Sequence, residues 1–280
     1  MSDHIIPVLY TLFLWWFSTG LIVWLDGLPR RTFRWSLTGA TVLAGIGLYG
    51  LAVSAQDASV SGAFTAFTCG LIIWGWNEIS FLMAFVTGPR REAAPPGSAG
   101  WLRLRHAVEA IVYHELAIAA SAALVVTLTW NAPNQIGTWT FLVLWAMRIS
   151  AKLNVFLGVP NLGSEFLPDH LKYLESFFRK RPMNCLFPVS VTLSTTAAIL
   201  LVQAAGAPGN GGFETAGFTF LATLVALALL EHWLLVLPLP AAALWNWYLN
   251  RRADNLTDNL TDSGLTTLPL SQAVSTQRRQ

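Results

Sequence analysis

The sequence predicts an all-α, polytopic integral membrane protein with seven transmembrane helices. Three observations predict this fold class: the composition, the recurrence of long apolar segments, and the one-sided distribution of basic residues. Of the 280 residues, 54% are hydrophobic and only 11% are charged, a balance far from that of a soluble domain.

Apolar segments of roughly 18 residues or more, the length that crosses a hydrocarbon core of about 30 Å, recur along the chain. Short polar or Gly/Pro-rich connections separate them. The predicted spans are residues 5–25, 36–53, 63–86, 106–130, 138–157, 186–205 and 215–237. We therefore assign residues 1–252 to one transmembrane domain, and residues 253–280 to a cytoplasmic tail whose composition is typical of disorder.

The 17 Lys and Arg residues orient these spans. Of these, 15 occupy the first, third and fifth loops and the tail, whereas residues 54–62, 131–137 and 206–214 contain none. The remaining two, Arg148 and Lys152, lie in the half of the fifth span nearest the same side. By the positive-inside rule that side is cytoplasmic, so we expect the N-terminus outside and the C-terminus in the cytoplasm.

Two cytoplasmic segments have patterns of their own. Residues 168–181 open with Pro168, repeat apolar residues on one face and end in three basic residues, which predicts an interfacial amphipathic helix on the cytoplasmic leaflet. Pro238 and Pro240 are expected to end the seventh span, leaving residues 241–250 as a second segment near the headgroups.

The sequence lacks the motifs that several functional classes require. The chain has no G-x-S-x-G, no phosphate-cradling glycine loop and no C-x-x-C, so nothing indicates a hydrolase, nucleotide or thiol-redox site. Nucleic acid is not an expected partner, because the basic residues sit where anionic lipid headgroups would meet them.

Residues 1–4 lack the basic start of a signal peptide, so the first span is expected to stay in the protein. Cys69 and Cys185 are expected to be reduced.

Ionisable side chains inside the spans are the main functional signal, because each costs about 2.5 to 3.5 kcal/mol to insert. They lie within roughly 14 Å of the predicted cytoplasmic span ends, at about 1.5 Å per residue. Three carboxylates share the depth of Arg148, and pairing with one would remove most of the cost of both. Lys152 is near enough to the end for its amine to reach the headgroups. We name these residues, together with the uncharged Asn154, the polar layer: Glu78, His114, Glu115, Arg148, Lys152, Asn154, Glu231 and His232.

The residues alone leave three uses of the polar layer open. One is a transition-metal site, for which adjacent His and Glu are poorly placed because neighbours point about 100° apart on a helix. A second is axial ligation of the central Mg of a chlorin by His114 or His232. A third is hydrogen bonding between helices, the role expected of Arg148, Lys152 and Asn154. The candidate metal ligands are Glu78, His114, Glu115, Glu231 and His232.

Four stretches together carry a family resemblance. They are W-G-W-N-E at residues 74–78, Y-H-E-L at 113–116, R-I-S-A-K-L-N-V-F-L-G-V-P-N-L-G-S-E-F-L-P-D-H-L-K-Y-L-E-S-F-F at 148–178, and E-H-W at 231–233. The combination resembles the photosynthetic complex assembly protein 2 family, the PuhE-like proteins of phototrophic bacteria. The likeness extends from residue 1 to about residue 252, and the long central stretch is its specific part.

The resemblance implies a multi-pass protein of the cytoplasmic (inner) membrane that assists assembly of the photosynthetic reaction centre and core light-harvesting complex. It also implies a link to the supply of bacteriochlorophyll. The implied partners are reaction-centre or core light-harvesting subunits, membrane lipids and bacteriochlorophyll. The family offers no catalytic residues, so we expect a non-enzymatic assembly factor. The alternative is an intramembrane metal-dependent enzyme acting on a lipid-soluble pigment or precursor.

Overall fold

The computed structural model describes residues 2–238. These residues form an all-helical structure without β-strands, which confirms the predicted class. Three short 3₁₀ helices, at Arg30–Thr32, Ser164–Phe166 and Asp169–Phe177, lie between the longer elements. The α-helices are α1 Ser2–Asp26, α2 Phe33–Ser54, α3 Val60–Leu82, α4 Gly100–Leu128, α5 Ile136–Leu157, α6 Leu186–Ala205 and α7 Gly212–Leu234.

Within residues 2–238, six helices are long and apolar enough to cross a membrane, namely all except α3. Serine, threonine and glycine residues, with Asn77 and Glu78, dilute the apolar residues of α3. Its 23 residues would still extend over about 34 Å. It packs against α1, α2, α4, α5 and α7, and a helix enclosed by others needs less apolar surface than one facing lipid. The seventh span stays a prediction, favoured by this enclosed position.

Some helix ends differ from the predicted spans. α3 ends at Leu82 rather than residue 86, because the chain reverses through Ala84, which adopts a φ of 58°. The amides of residues 85 and 86 both donate to the carbonyl of Ser80 and so close this turn. α7 ends at Leu234, shortly before Pro238, and α4 begins at Gly100, well before the predicted start at residue 106.

The connections between helices alternate between the two ends of the bundle. At one end, His4 Nδ1 lies 3.2 Å from Thr219 Oγ1, and Asn134 donates to the backbone carbonyls of Ser54, the last residue of α2, and Asp57 in the α2–α3 connection. At the other end, His170 Nε2 donates to the carbonyl of Leu82 across 2.6 Å. The loops assigned to opposite sides by their charge are thus grouped at opposite ends. Which end faces the cytoplasm stays a prediction.

α3 and α5 approach each other closely at two glycines. A Cβ added to Gly70 would lie 2.8 Å from Gly137 O, and one added to Gly137 would lie 2.7 Å from Ala66 O. Beside this contact the core contains Phe67 and Phe220, which stack with ring centroids 4.4 Å apart. The small residues therefore bring α3 and α5 together and set the distance at which side chains further along both helices meet.

The segment predicted as an interfacial helix differs in the structure. It is the 3₁₀ helix Asp169–Phe177, whose three residues per turn bring Leu171, Leu174 and Phe177 onto one face. This face is buried against α3 and α4, where Phe81 belongs to the same apolar cluster. An interfacial helix would lay its apolar face into lipid, whereas this one is covered by protein.

Two further expectations concern the cysteines and the C-terminal region. Cys69 and Cys185 are both free thiols, as expected, the first buried and the second exposed. The second segment at residues 241–250 and the tail at 253–280 lie outside the described residues, as do the four arginines of that region that entered the orientation argument.

We expect Gly137→Ala to destabilise the protein by about 1 to 3 kcal/mol, because its methyl group would overlap the α3 backbone. Gly75→Ala in α3 is the matched control, since no atom lies within 4 Å of its added Cβ. That change should be neutral or stabilising by up to about 1 kcal/mol. The free energy of unfolding in mixed micelles measures both, and equal effects of the two substitutions would contradict the close contact.

Candidate functional site

α5 carries both cations of the polar layer, four residues apart and therefore on neighbouring turns of one side. Arg148 Nη2 donates to Glu78 Oε2 of α3 across 3.2 Å, and Lys152 Nζ donates to Glu115 Oε1 of α4 across 2.6 Å. The predicted pairing of Arg148 with a carboxylate is confirmed. Lys152 bonds across the bundle instead of extending to the headgroups. One helix thus neutralises a carboxylate on each of two neighbours.

The two ion pairs differ in how many of their hydrogen-bonding atoms have partners. Glu115 has a second donor, Trp145 Nε1, at 3.5 Å from its Oε2. In the Arg148 pair, by contrast, Glu78 Oε1 and Arg148 Nε are buried and have no hydrogen-bond partner within residues 2–238. Guanidinium and carboxylate groups often form two parallel bonds, and this pair forms one. The Arg148–Glu78 pair therefore retains unused hydrogen-bonding capacity.

One side of the polar layer is accessible from outside the bundle. The side chain of Arg148 is 40% exposed, although Glu78 beside it is only 12% exposed. Glu231 of α7 is also exposed, and its Oε1 accepts a 3.1 Å hydrogen bond from Trp15 Nε1 of α1. The charges of Arg148 and Glu78 both act on Glu231, so the three lie within electrostatic range. We name Trp15, Arg148 and Glu231 the open face.

A second, uncharged network joins α5 to α6 and α7. Ser150 Oγ lies 2.8 Å from His232 Nε2 and 3.0 Å from Ser190 Oγ. Asn154, which is fully buried, donates to Ser190 Oγ across 3.1 Å and accepts from Asn184 Nδ2 across 3.1 Å. These bonds fix the register of three helices. They also account for Asn154, one of the predicted polar-layer residues.

Sequence reasoning missed several of these partners. Asn184 precedes the first turn of α6 and accepts from two of its backbone amides, which is a recognisable capping position. Ser150 and Ser190 gave no usable signal, because single serines are common in membrane helices. Trp15 and Trp145 were also missed. Both lie away from the span ends, where an interfacial belt would place tryptophan, and this position was the one signal in the sequence that they have another role.

The two histidines proposed as chlorin ligands differ in availability. Both ring nitrogens of His232 are in use, Nε2 with Ser150 and Nδ1 with the carbonyl of Ala228 at 2.8 Å. His114 is fully buried, and neither ring nitrogen has a hydrogen-bond partner in the described part of the chain. Its ring lies 4.4 Å from that of Phe81. Only His114 therefore has a free nitrogen, and access to it requires α3 and α4 to open.

The candidate metal ligands do not come together. No group of three or more His, Cys, Asp or Glu within residues 2–238 has the geometry to hold a metal ion. Each carboxylate has a separate bonding partner on another helix, and the two histidines lie in different environments. The carboxylates Glu78, Glu115 and Glu231 bond to Arg148, Lys152 and Trp15, respectively.

We expect Lys152→Met to lower the free energy of unfolding by about 3 kcal/mol, because it leaves the Glu115 carboxylate uncompensated inside the bundle. The double variant Lys152→Met/Glu115→Leu should recover most of this loss. Lys172→Met is the control, since the Lys172–Glu175 pair is about 40% exposed on both sides and worth less than about 1 kcal/mol. A double variant no more stable than Lys152→Met would contradict the pairing.

Comparison with known proteins places the chain in a family. Residues 1–256 match a family model described as "Protein of unknown function (DUF3623)". A protein of Rhodobacter capsulatus, named "Uncharacterized 30.4 kDa protein in puhA 5'region", is 42% identical over 254 residues, or 89% of this chain and 92% of the relative. No solved structure matches the chain. Because the family model covers most of its length, the chain belongs to the DUF3623 family.

Proposed function

We propose that this protein is a non-enzymatic assembly factor for the bacterial photosynthetic reaction centre and core light-harvesting complex. In this role it handles or modulates the supply of bacteriochlorophyll within the inner membrane, as the PuhE-like resemblance implies. The observation that carries the proposal is the open face, a charged surface that lies within the predicted membrane spans and stays accessible from outside the bundle.

Exposed charge is costly within a bilayer. Ionisable residues inside membrane spans normally face the bundle interior or pair with one another. Arg148 is bonded to a single carboxylate oxygen and is 40% exposed, while Glu231 has an exposed side chain bonded to Trp15. A partner that brings polar groups to this depth would cover these residues. Two kinds of partner meet this requirement. A transmembrane helix of a photosynthetic subunit brings polar side chains to this depth, and a bacteriochlorophyll brings its carbonyl groups.

The relative supplies the biological context. Its name places it 5' of puhA, a photosynthesis-related location, in the phototrophic bacterium Rhodobacter capsulatus. This context agrees with an assembly role for the present chain and names no partner. The choice between a protein subunit and a pigment therefore rests on experiment.

For pigment binding, His114 is the proposed ligand of the chlorin Mg. Its ring nitrogens make no hydrogen bonds in the described structure, whereas His232 uses Nε2 to join α7 to Ser150 of α5 and Nδ1 to bond Ala228 within α7. Binding at His114 would require Phe81, on α3, to move away from the imidazole ring. A metal-dependent reaction receives no comparable support, since the candidate metal ligands are dispersed.

The open face predicts that Glu231→Gln weakens partner binding without affecting the fold, because glutamine still accepts the Trp15 hydrogen bond. In tagged protein from phototrophically grown cells, we expect co-purified photosynthetic subunits or bacteriochlorophyll to fall about fivefold, equivalent to about 1 kcal/mol. Glu175→Gln, an exposed carboxylate on the 3₁₀ helix Asp169–Phe177, is the control and should match the wild type. Equal recovery from Glu231→Gln and wild type would refute the role of the open face.

The two histidines should give opposite phenotypes. His114→Leu removes two buried nitrogens that lack partners, so protein yield should be unchanged while any co-purified pigment is lost. His232→Leu breaks two hydrogen bonds and should lower yield, with the pigment-to-protein ratio retained. Pigment retained at the wild-type ratio in His114→Leu would exclude this residue as the ligand.

A further inference from the structure

A cavity of about 210 Å³ lies at the end of the bundle opposite the N-terminus and shares no lining residue with the open face. Its walls come from three connecting segments: the 3₁₀ turn before α2, the α3–α4 connection and the 3₁₀ helix Asp169–Phe177. A water molecule takes up about 30 Å³ in the liquid, so the space exceeds what one or two waters need. The polar residues of its wall are Arg30, Thr87, Arg91, His170 and Tyr173.

The local sequence holds this wall in place. After the reversal at Ala84, the carbonyl of Thr87 accepts a 2.9 Å hydrogen bond from the amide of His114 in α4. Gly88 follows, so close to the backbone of Glu109 that a Cβ would overlap the carbonyl oxygen. The α3–α4 connection is thereby fixed against α4. On the opposite side, the bond from His170 to Leu82 holds the 3₁₀ helix over the end of α3.

Two buried hydroxyl groups in the cavity wall, on Thr87 and Tyr173, face each other. Thr87 is only 1% exposed, and apart from this mutual contact neither hydroxyl has a hydrogen-bond partner within residues 2–238. Buried polar atoms without partners are uncommon, and each needs a physical explanation such as a bound molecule. Burial raises the pKa of Tyr173, so at neutral pH its hydroxyl stays protonated and available as a donor.

The charge around these hydroxyls is positive. Arg30 and Arg91 line the cavity from two different segments, and the charge of Arg91 acts on Tyr173. No acidic residue of the described chain is among those lining the cavity. Two guanidinium groups and two hydroxyl groups are hydrogen-bond donors suited to an anion with several oxygen atoms. Phosphate has this chemistry, and arginine is the side chain that matches its geometry best.

We propose that this cavity, which we name the anion cavity, binds a phosphate group. Thr87 and Tyr173 donate hydrogen bonds to its oxygens, and Arg30 and Arg91 balance its charge. The phosphate belongs either to an anionic phospholipid headgroup or to a soluble phosphate ester. Both kinds of phosphate can reach the end of the bundle where the basic loops lie. The anion cavity is independent of the function proposed for the open face.

The test uses the full-length chain in detergent and three probes: phosphatidylglycerol, inorganic phosphate, and diacylglycerol as a lipid without phosphate. Native mass spectrometry counts bound molecules, and the rise in Tm with probe concentration gives the affinity. We expect one saturable site for a phosphate-bearing probe and none for diacylglycerol. Saturation by phosphatidylglycerol alone identifies a lipid headgroup, whereas saturation by inorganic phosphate identifies a soluble phosphate ester.

Thr87→Val is the decisive variant. It removes a hydroxyl whose one contact is the Tyr173 hydroxyl, so the Tm of the protein without probe should change little, while the affinity falls about tenfold. Arg30→Gln/Arg91→Gln should weaken binding at least as much. Arg31→Gln/Arg34→Gln removes the same charge from the same end without touching the cavity and should bind like the wild type. The proposal is overturned if no probe saturates, if Thr87→Val keeps wild-type affinity, or if both arginine pairs have equal effects.

Discussion

The arrangement of the bundle depends on the two cations of α5. An Arg and a Lys within a membrane span are tolerated only with partners at the same depth, and Glu78 and Glu115 supply them from α3 and α4. Such pairs add little net stability over apolar packing, but breaking one is costly. Their main effect is therefore to fix which faces of the three helices meet. On its other side, α5 is held to α6 and α7 by Ser150 and Asn154.

This central position of α5 explains why the polar layer has two unlike parts. The part around Ser150, Asn154 and His232 is buried and bonded to neighbouring helices, so we assign it to structure. The part around Arg148 and Glu231 is exposed and incompletely bonded, and it is the part for which we propose a binding role. The anion cavity adds a third polar region, at the end of the bundle and built from connecting segments. In an assembly factor, these regions would hold a membrane-embedded partner at the open face and a phosphate group near the surface.

Sequence reasoning reached the helices and their polar residues but not the pairing between them. Long apolar runs are visible because the bilayer imposes a length, which is why six spans agree with helices of suitable length and hydropathy. The chain's polar content also showed that Arg148 needs a carboxylate. Three were available at that depth, and only the rotation of each helix selects Glu78. Rotation depends on contacts such as Gly70 against Gly137, which no periodicity in one chain reveals.

The segment at residues 168–181 differs from its prediction for another reason. Apolar residues three apart suit an α-helix face and a 3₁₀ face equally well, and nothing local shows whether lipid or protein will cover them. The buried hydroxyl of Thr87 could not be foreseen either, since threonine in a loop is ordinary and its burial depends on α4 packing across it. The family resemblance indicated the process but gave no residue roles, so the sites had to come from the geometry.

The measurement that most directly tests the central claim is made on protein solubilised gently from phototrophically grown cells. It combines an absorption spectrum with elemental analysis for Mg, Fe, Mn and Zn on the same sample. An assembly factor that handles bacteriochlorophyll should show chlorin absorption with a matching amount of Mg and no stoichiometric transition metal. One or two transition-metal ions per chain without pigment would contradict the account and identify an intramembrane metalloenzyme instead.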